Sequence, residues 1–310
     1  MPQRPEAIAG LVASILQKAA SVVVSVTTVF LTGGLLGSGM HNHSTVGRVV
    51  FPISCSKQAQ EDVEHGMAMM HSFLFDDAED EFKAAAEADH TCAVAYWAQA
   101  IGLYRPLVYR PSDADMKQGW GLIRKAEELK PKTPRERDYV EAAEYLYRPD
   151  ERTYETRNHE YSGQLEKVNK AYPEDTEAAV FYELSLITWA DSSHPMNDSE
   201  KAIAILNPVF AKHPDHPGVA HYIIHAADTP GLASQALDAA RHYAQIAPAA
   251  PHALHMPSHI FARLGLWQED TRSNLASLHA APKSDRARRC GTSTARDGIS
   301  GVRISSDRRG

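Results

Sequence analysis

Cysteine is scarce in this 310-residue chain. Cys55, Cys92 and Cys290 are the only three. They form no Cys-x-x-Cys pair and no zinc-finger spacing, which excludes a metal site built on thiolates. No His-Glu-x-x-His string is present, so no helix carries a metalloprotease base beside its ligands. Gly-x-Ser-x-Gly is missing too, and Asp191-Ser-Ser-His194 is not a nucleophile elbow. No apolar run reaches the roughly 20 residues that a membrane-spanning helix needs. Strand-like alternation is confined to residues 48–53, which read as a short extended linker. An excess of basic charge is missing from most of the chain as well. The net charge is −7, and residues 283–310 hold seven Arg, one Lys and three Asp, or +5, so the remainder carries −12. Such an acidic body excludes nucleic acid as the main partner, because phosphate binding needs a basic surface.

What is present begins with an export-like N-terminus. Arg4 and Lys18 precede the apolar residues 22–36, and Gly37, Ser38 and Gly39 follow. A largely apolar stretch of fifteen residues suits a signal-peptide core better than a membrane span, so residues 1–39 are expected to be a signal. An uncleaved anchor, the only membrane contact expected, is the alternative. The protein is then exported, to a periplasm or the outside. Residues 40–58 read as linker, and His41-Asn42-His43, a string known from nucleases, lies there and is set aside. Residues 283–310 are rich in Arg, Ser, Thr and Gly, a composition that predicts disorder. A shifted reading frame or a truncation is the expected origin of this basic tail.

Between these ends the chain repeats. Pro214, Pro248 and Pro282 stand 34 residues apart, and Ala202 and Ala236 each precede their proline by twelve. A helix stops at such a proline, which lacks an N–H and clashes with the preceding turn. Near the start, Gly66, Ala78, Phe82 and Ala85 set small, small, aromatic and small residues at the spacing of a paired helix. Val180, Leu184, Ile187 and Thr188 fall on one helical face, as do Ala202, Ile205, Leu206 and Val209. This pattern resembles the tetratricopeptide repeat, a 34-residue unit of two antiparallel helices. The intervals His90 to Pro131 and Pro131 to Pro173 are 41 and 42 residues, read as insertions near residues 105–112 and 148–156. The expectation is an all-α, right-handed superhelical solenoid of about six repeats over residues 59–282. More narrowly, the strings FPISC, HYIIHAAD and APHALHMPSHIFARLGLW resemble a group of exported bacterial tetratricopeptide proteins of unassigned activity. The repeat places Cys55 and Cys92 at one end of the first hairpin. They are either a disulfide or two separate buried thiols.

Sixteen histidines are many for this length, and eight fall between His213 and His259. The 34-residue period maps His221 onto His255 and His225 onto His259. Each pair is four apart, hence on one helical face. The resemblance implies that first helices line a concave groove holding Trp97, Asp191, His194, His252 and Arg263, beside His221, His225, Asp228, His255 and His259. Imidazoles with a carboxylate suit a divalent transition metal such as Zn²⁺. That makes His221, His225, Asp228, His255 and His259 the candidate metal set, with Asp228 either a ligand or a partner fixing a histidine tautomer. Pro257 is expected to disturb the helix between His255 and His259.

Two functions are carried forward. One is a protein-interaction scaffold that binds a partner segment in the groove and needs no reaction or cofactor. The other is a metal-binding protein or metal-dependent hydrolase. The metal reading requires the histidines to converge on one point, whereas the scaffold reading leaves them spread like rungs.

Overall fold

A computed structural model describes residues 45–190 and 195–281. All of them belong to the compact unit that starts at His43. The described residues form helices and connecting loops, with no strand among them. The helices are α1 (Lys57–Met70), α2 (Phe75–Ala88), α3 (Ala93–Leu103), α4 (Asp113–Glu128), α5 (Pro134–Tyr147), α6 (Tyr154–Ala171), α7 (Thr176–Ala190), α8 (Pro195–Lys212), α9 (Pro217–Ala226), α10 (Leu237–Ile246), α11 (Pro251–His255), α12 (Pro257–Arg263) and α13 (Trp267–Ala280). Most pack mainly on a neighbour in sequence, and the all-α expectation holds for the described residues. The expected insertions are the loops before α4 and α6. Among the described residues, no helix is long and apolar enough to cross a membrane. The expected signal at 1–39, His41, His43, the tail 283–310 with Cys290, and the groove candidates Asp191 and His194 lie outside the described residues.

Local chemistry sets the helix starts. Ser56, Ser112, Thr133 and Thr153 each accept a backbone N–H of the first turn. Ser112 with Asp115 and Thr133 with Glu136 complete capping boxes, satisfying donors that a helix start leaves bare. Pro134, Pro217, Pro251 and Pro257 occupy first helical positions, where a missing N–H costs nothing. At Gly66 a Cβ would lie 2.5 Å from the Phe82 ring. Glycine therefore lets α1 and α2 close on that buried ring.

Residues 46–53 correct the linker expectation. They form neither helix nor strand, but Val46, Val49 and Phe51 are buried in the core. The Phe51 N–H donates to Glu64 at 2.8 Å, and the Ser54 N–H donates to the buried Glu136 carboxylate at 2.6 Å. Arg135 donates to the Pro52 carbonyl at 2.8 Å and lies over the Phe51 ring at 4.2 Å. The Arg48 N–H reaches the Asp215 carbonyl at 3.1 Å. The strap thus ties α1 and α5 to the start of α9.

Trp97 is corrected too. Its ring is 1% exposed and packs 5.7 Å from Phe51, 5.2 Å from Tyr139 and 5.7 Å from Phe181. Trp97, Tyr139 and Phe181 come from α3, α5 and α7. The face expected to hold a ligand is filled by these rings and the strap.

Cys55 and Cys92 are bonded, with Cα atoms 5.3 Å apart and a sequence separation of 37. The bond joins the strap to the start of α3. Closing a loop of that length stabilises a fold by about 3–4 kcal/mol. Replacing both cysteines by serine is expected to cost that much in urea unfolding, and a loss under about 1 kcal/mol would show the strap is held without it.

Candidate metal centre

Helix α9 opens at Pro217, capped by the His216 side chain, whose Nδ1 accepts the Val219 N–H. Its apolar residues Val219, Ala220, Ile223 and Ile224 are fully buried, which fixes the helix rotation. His221 is thereby carried inward and is fully buried, while His225, one turn later, is partly buried. Helix α11 brings His252 against them. The His221 Nε2 lies 3.0 Å from the His225 Nε2 and 3.0 Å from the His252 Nε2. All three donor atoms fall within 4.8 Å of one another.

The other edge of His221 fixes its tautomer. Its Nδ1–H donates to the His71 carbonyl at 2.6 Å, leaving a lone pair on Nε2 aimed at the cluster. Burial first, then the neighbouring His225 and His252, holds the His221 imidazole well below its ordinary pKa of 6.5. Burial does the same to His225, which falls to about 4. A buried imidazole whose lone pair is turned toward two other imidazole nitrogens is an arrangement that metal-ligand chemistry uses. A tetrahedral ion with metal–nitrogen bonds of about 2.0–2.1 Å sets its ligand atoms roughly 3.3 Å apart. Two of the observed spacings, at 3.0 Å, come near that value, and the third lies within 4.8 Å.

Phe73 walls this cluster. Its ring stacks on His252 at 4.6 Å and stands edge-on to His221 at 4.5 Å. It sits in the loop after α1 with φ of 59°, a conformation that costs a non-glycine residue about 1–2 kcal/mol.

The remaining candidates form a neighbouring group. His255 and His259 keep a common face although Met256 and Pro257 interrupt the helix, and their Nε2 atoms are 3.1 Å apart. The His259 Nδ1 meets the Asp228 carboxylate at 2.8 Å, and Arg263 donates to its other oxygen at 2.9 Å. Burial pushes Asp228 up, but these two hydrogen bonds outweigh it and the carboxyl sits below its ordinary range. The four histidines paired by the 34-residue period therefore do not meet at one point. His221 and His225 join His252, and His255 and His259 form their own pair.

A third cluster lies beneath. Glu177 of α7 is fully buried and accepts from the His71 Nε2 at 2.9 Å and the His216 Nε2 at 2.6 Å. The far nitrogens are occupied by the Tyr222 hydroxyl at 2.9 Å and the Val219 N–H at 3.3 Å. Burial pushes the Glu177 carboxyl up, but the two imidazoles outweigh it and hold it far below the usual range. The three donor atoms are close enough for a metal. Direct hydrogen bonds already engage every ligand atom, so the cluster is a structural network. Its His71 supplies the carbonyl that orients His221.

Glu183, also on α7, is fully buried, and neither carboxyl oxygen has a hydrogen-bond partner among the described residues. Burial pushes its carboxyl well above the ordinary 4.5. A raised value means its contribution is best below pH 4.5 and erodes as pH rises. Glu183→Leu is expected to raise stability by about 1–2 kcal/mol at neutral pH, with a smaller gain in acid. Urea unfolding at two pH values checks this, and destabilisation would show that Glu183 has a hydrogen-bonding role.

Two clefts of about 660 and 750 Å³ flank the strap, and both include Arg48 and Asp215. Neither is lined by His221, His225 or His252. No protein-family model matches the chain, and no curated protein matches it.

Proposed function

We propose that this protein binds a divalent transition metal, best matched by Zn²⁺, through His221, His225 and His252. The observation that carries it is the His221 Nε2, held 3.0 Å from two other imidazole nitrogens while its Nδ1 is tied to the His71 carbonyl. Three protein ligands leave a fourth position for solvent or substrate, where such an ion would lower the pKa of water and polarise a carbonyl or phosphoryl oxygen. His225 and His252 are only partly buried. The framework we infer is an exported helical-repeat array of the tetratricopeptide type. The packing of sequence neighbours and the Cys55–Cys92 disulfide, a bond of oxidising compartments, support it. A scaffold that holds a partner segment in a concave groove has less support, because Trp97, its aromatic anchor, is buried against Phe51.

The test is a Zn²⁺ titration of the full chain against a competing chelator. His225→Ala is expected to weaken binding about 10- to 100-fold with unchanged helicity, since a partly buried side chain is removed. Equal affinity in the two proteins would sink the assignment.

A further inference from the structure

We propose that His255 and His259 hold a second metal ion beside the first, so that the histidine cluster is a two-metal centre. The proposal rests on the reading of His221, His225 and His252 as a metal site. Both rings of the second pair are fixed from behind. The His259 Nδ1 faces the Asp228 carboxylate at 2.8 Å, which makes that nitrogen the N–H donor. The His255 Nδ1 faces the Asn274 Oδ1 at 2.7 Å. The Asn274 amide is itself oriented, because its Nδ2 donates to the Asp270 carbonyl at 3.2 Å and to the Asp270 carboxylate at 2.9 Å. Its oxygen therefore accepts, and the His255 Nδ1 donates.

The consequence is forced by imidazole chemistry. A neutral ring with a proton on Nδ1 has a lone pair on Nε2. The two Nε2 lone pairs of His255 and His259 therefore face each other across 3.1 Å. Two acceptors at that distance repel unless a cation lies between them. A metal with its two imidazoles oriented by a carboxylate and an amide is the usual form of such a support. A proton shared by the two rings is the competing occupant.

The second pair adjoins the first site. The His255 ring is 6.3 Å from the His252 ring. Two imidazoles leave the second ion more open positions than the first, which suits a weaker, more exchangeable ion.

The experiment counts metal. The full chain is equilibrated with Zn²⁺, freed of excess, and assayed by elemental analysis, with circular dichroism as a check on folding. Two equivalents are expected in the unaltered chain and one in His255→Ala/His259→Ala. Asn274→Leu removes no ligand. It is expected to weaken the second equivalent about tenfold, as loss of an orienting partner does, and to leave the first unchanged. One equivalent in the unaltered chain overturns the second site and leaves the first standing. Two equivalents that survive the double substitution overturn it as well. No metal in any protein removes both readings, and a pair titrating with protons alone is then what His255 and His259 form.

Discussion

Replacing Glu177 by alanine is expected to cost about 3–5 kcal/mol, because it strands two buried imidazoles without their shared acceptor. The carboxylate is fully buried and bonded directly to His71 and His216, and those rings reach Tyr222 and the first turn of α9. The pH dependence follows from the depressed carboxyl. Its stabilisation is complete above the ordinary value near 4.5 and is lost as pH falls below that, so the gap between natural and Glu177→Ala proteins narrows in acid. Urea unfolding from pH 7 down to pH 3 measures both. A cost under about 1 kcal/mol at pH 7 would mean that α1, α7 and α9 are held together by apolar packing alone.

The second large effect is expected at His221. It is the imidazole shared by both 3.0 Å contacts of the triad, so on the proposed reading His221→Ala is expected to lower Zn²⁺ affinity more than about 100-fold. The side chain is also packed. It stacks 5.1 Å from both Tyr222 and Tyr243 and meets Phe73. Truncation therefore also costs about 2–4 kcal/mol. His221→Phe separates the two roles, since it supplies a ring with no donor atom. That variant should keep most of the stability and none of the affinity. Retained binding in His221→Phe would show that the metal does not use this nitrogen.

Much of the scaffold was legible from local signals. Prolines mark helix starts and stops, Gly66 and Phe82 mark the first helix pair, and the prolines at 106, 111 and 149 mark the loops. The four-residue spacing of His221 and His225 announced a shared face. Its completion was not legible, because His252 lies 31 residues after His221 and so falls off the 34-residue register, which pairs His221 with His255 instead. His71 and Glu177 went unmarked because their meeting depends on α1 returning to α7 and α9, which no local pattern encodes. Trp97 was assigned to a groove because register alone cannot show that residues 46–53 fold back over it. The cysteines were undecided for a similar reason, since spacing in sequence does not give the Cα separation that a bond requires.

The strap and the His71 contacts also bear on how the molecule should come apart. A linear helical array has nearest-neighbour energetics, so it can fray from an end and melt in stages. Here residue 71 is bonded to residues 177, 221 and 222, and residue 48 to residue 215. These pairings close loops of more than 100 residues, which makes assembly slow relative to a string of local hairpins. They also deny the first helices an independent existence: α1 cannot detach without exposing Glu177 and emptying the space beside Phe51. Residues 45–281 should therefore unfold in a single cooperative step, as a globular domain does and a spring of repeats does not.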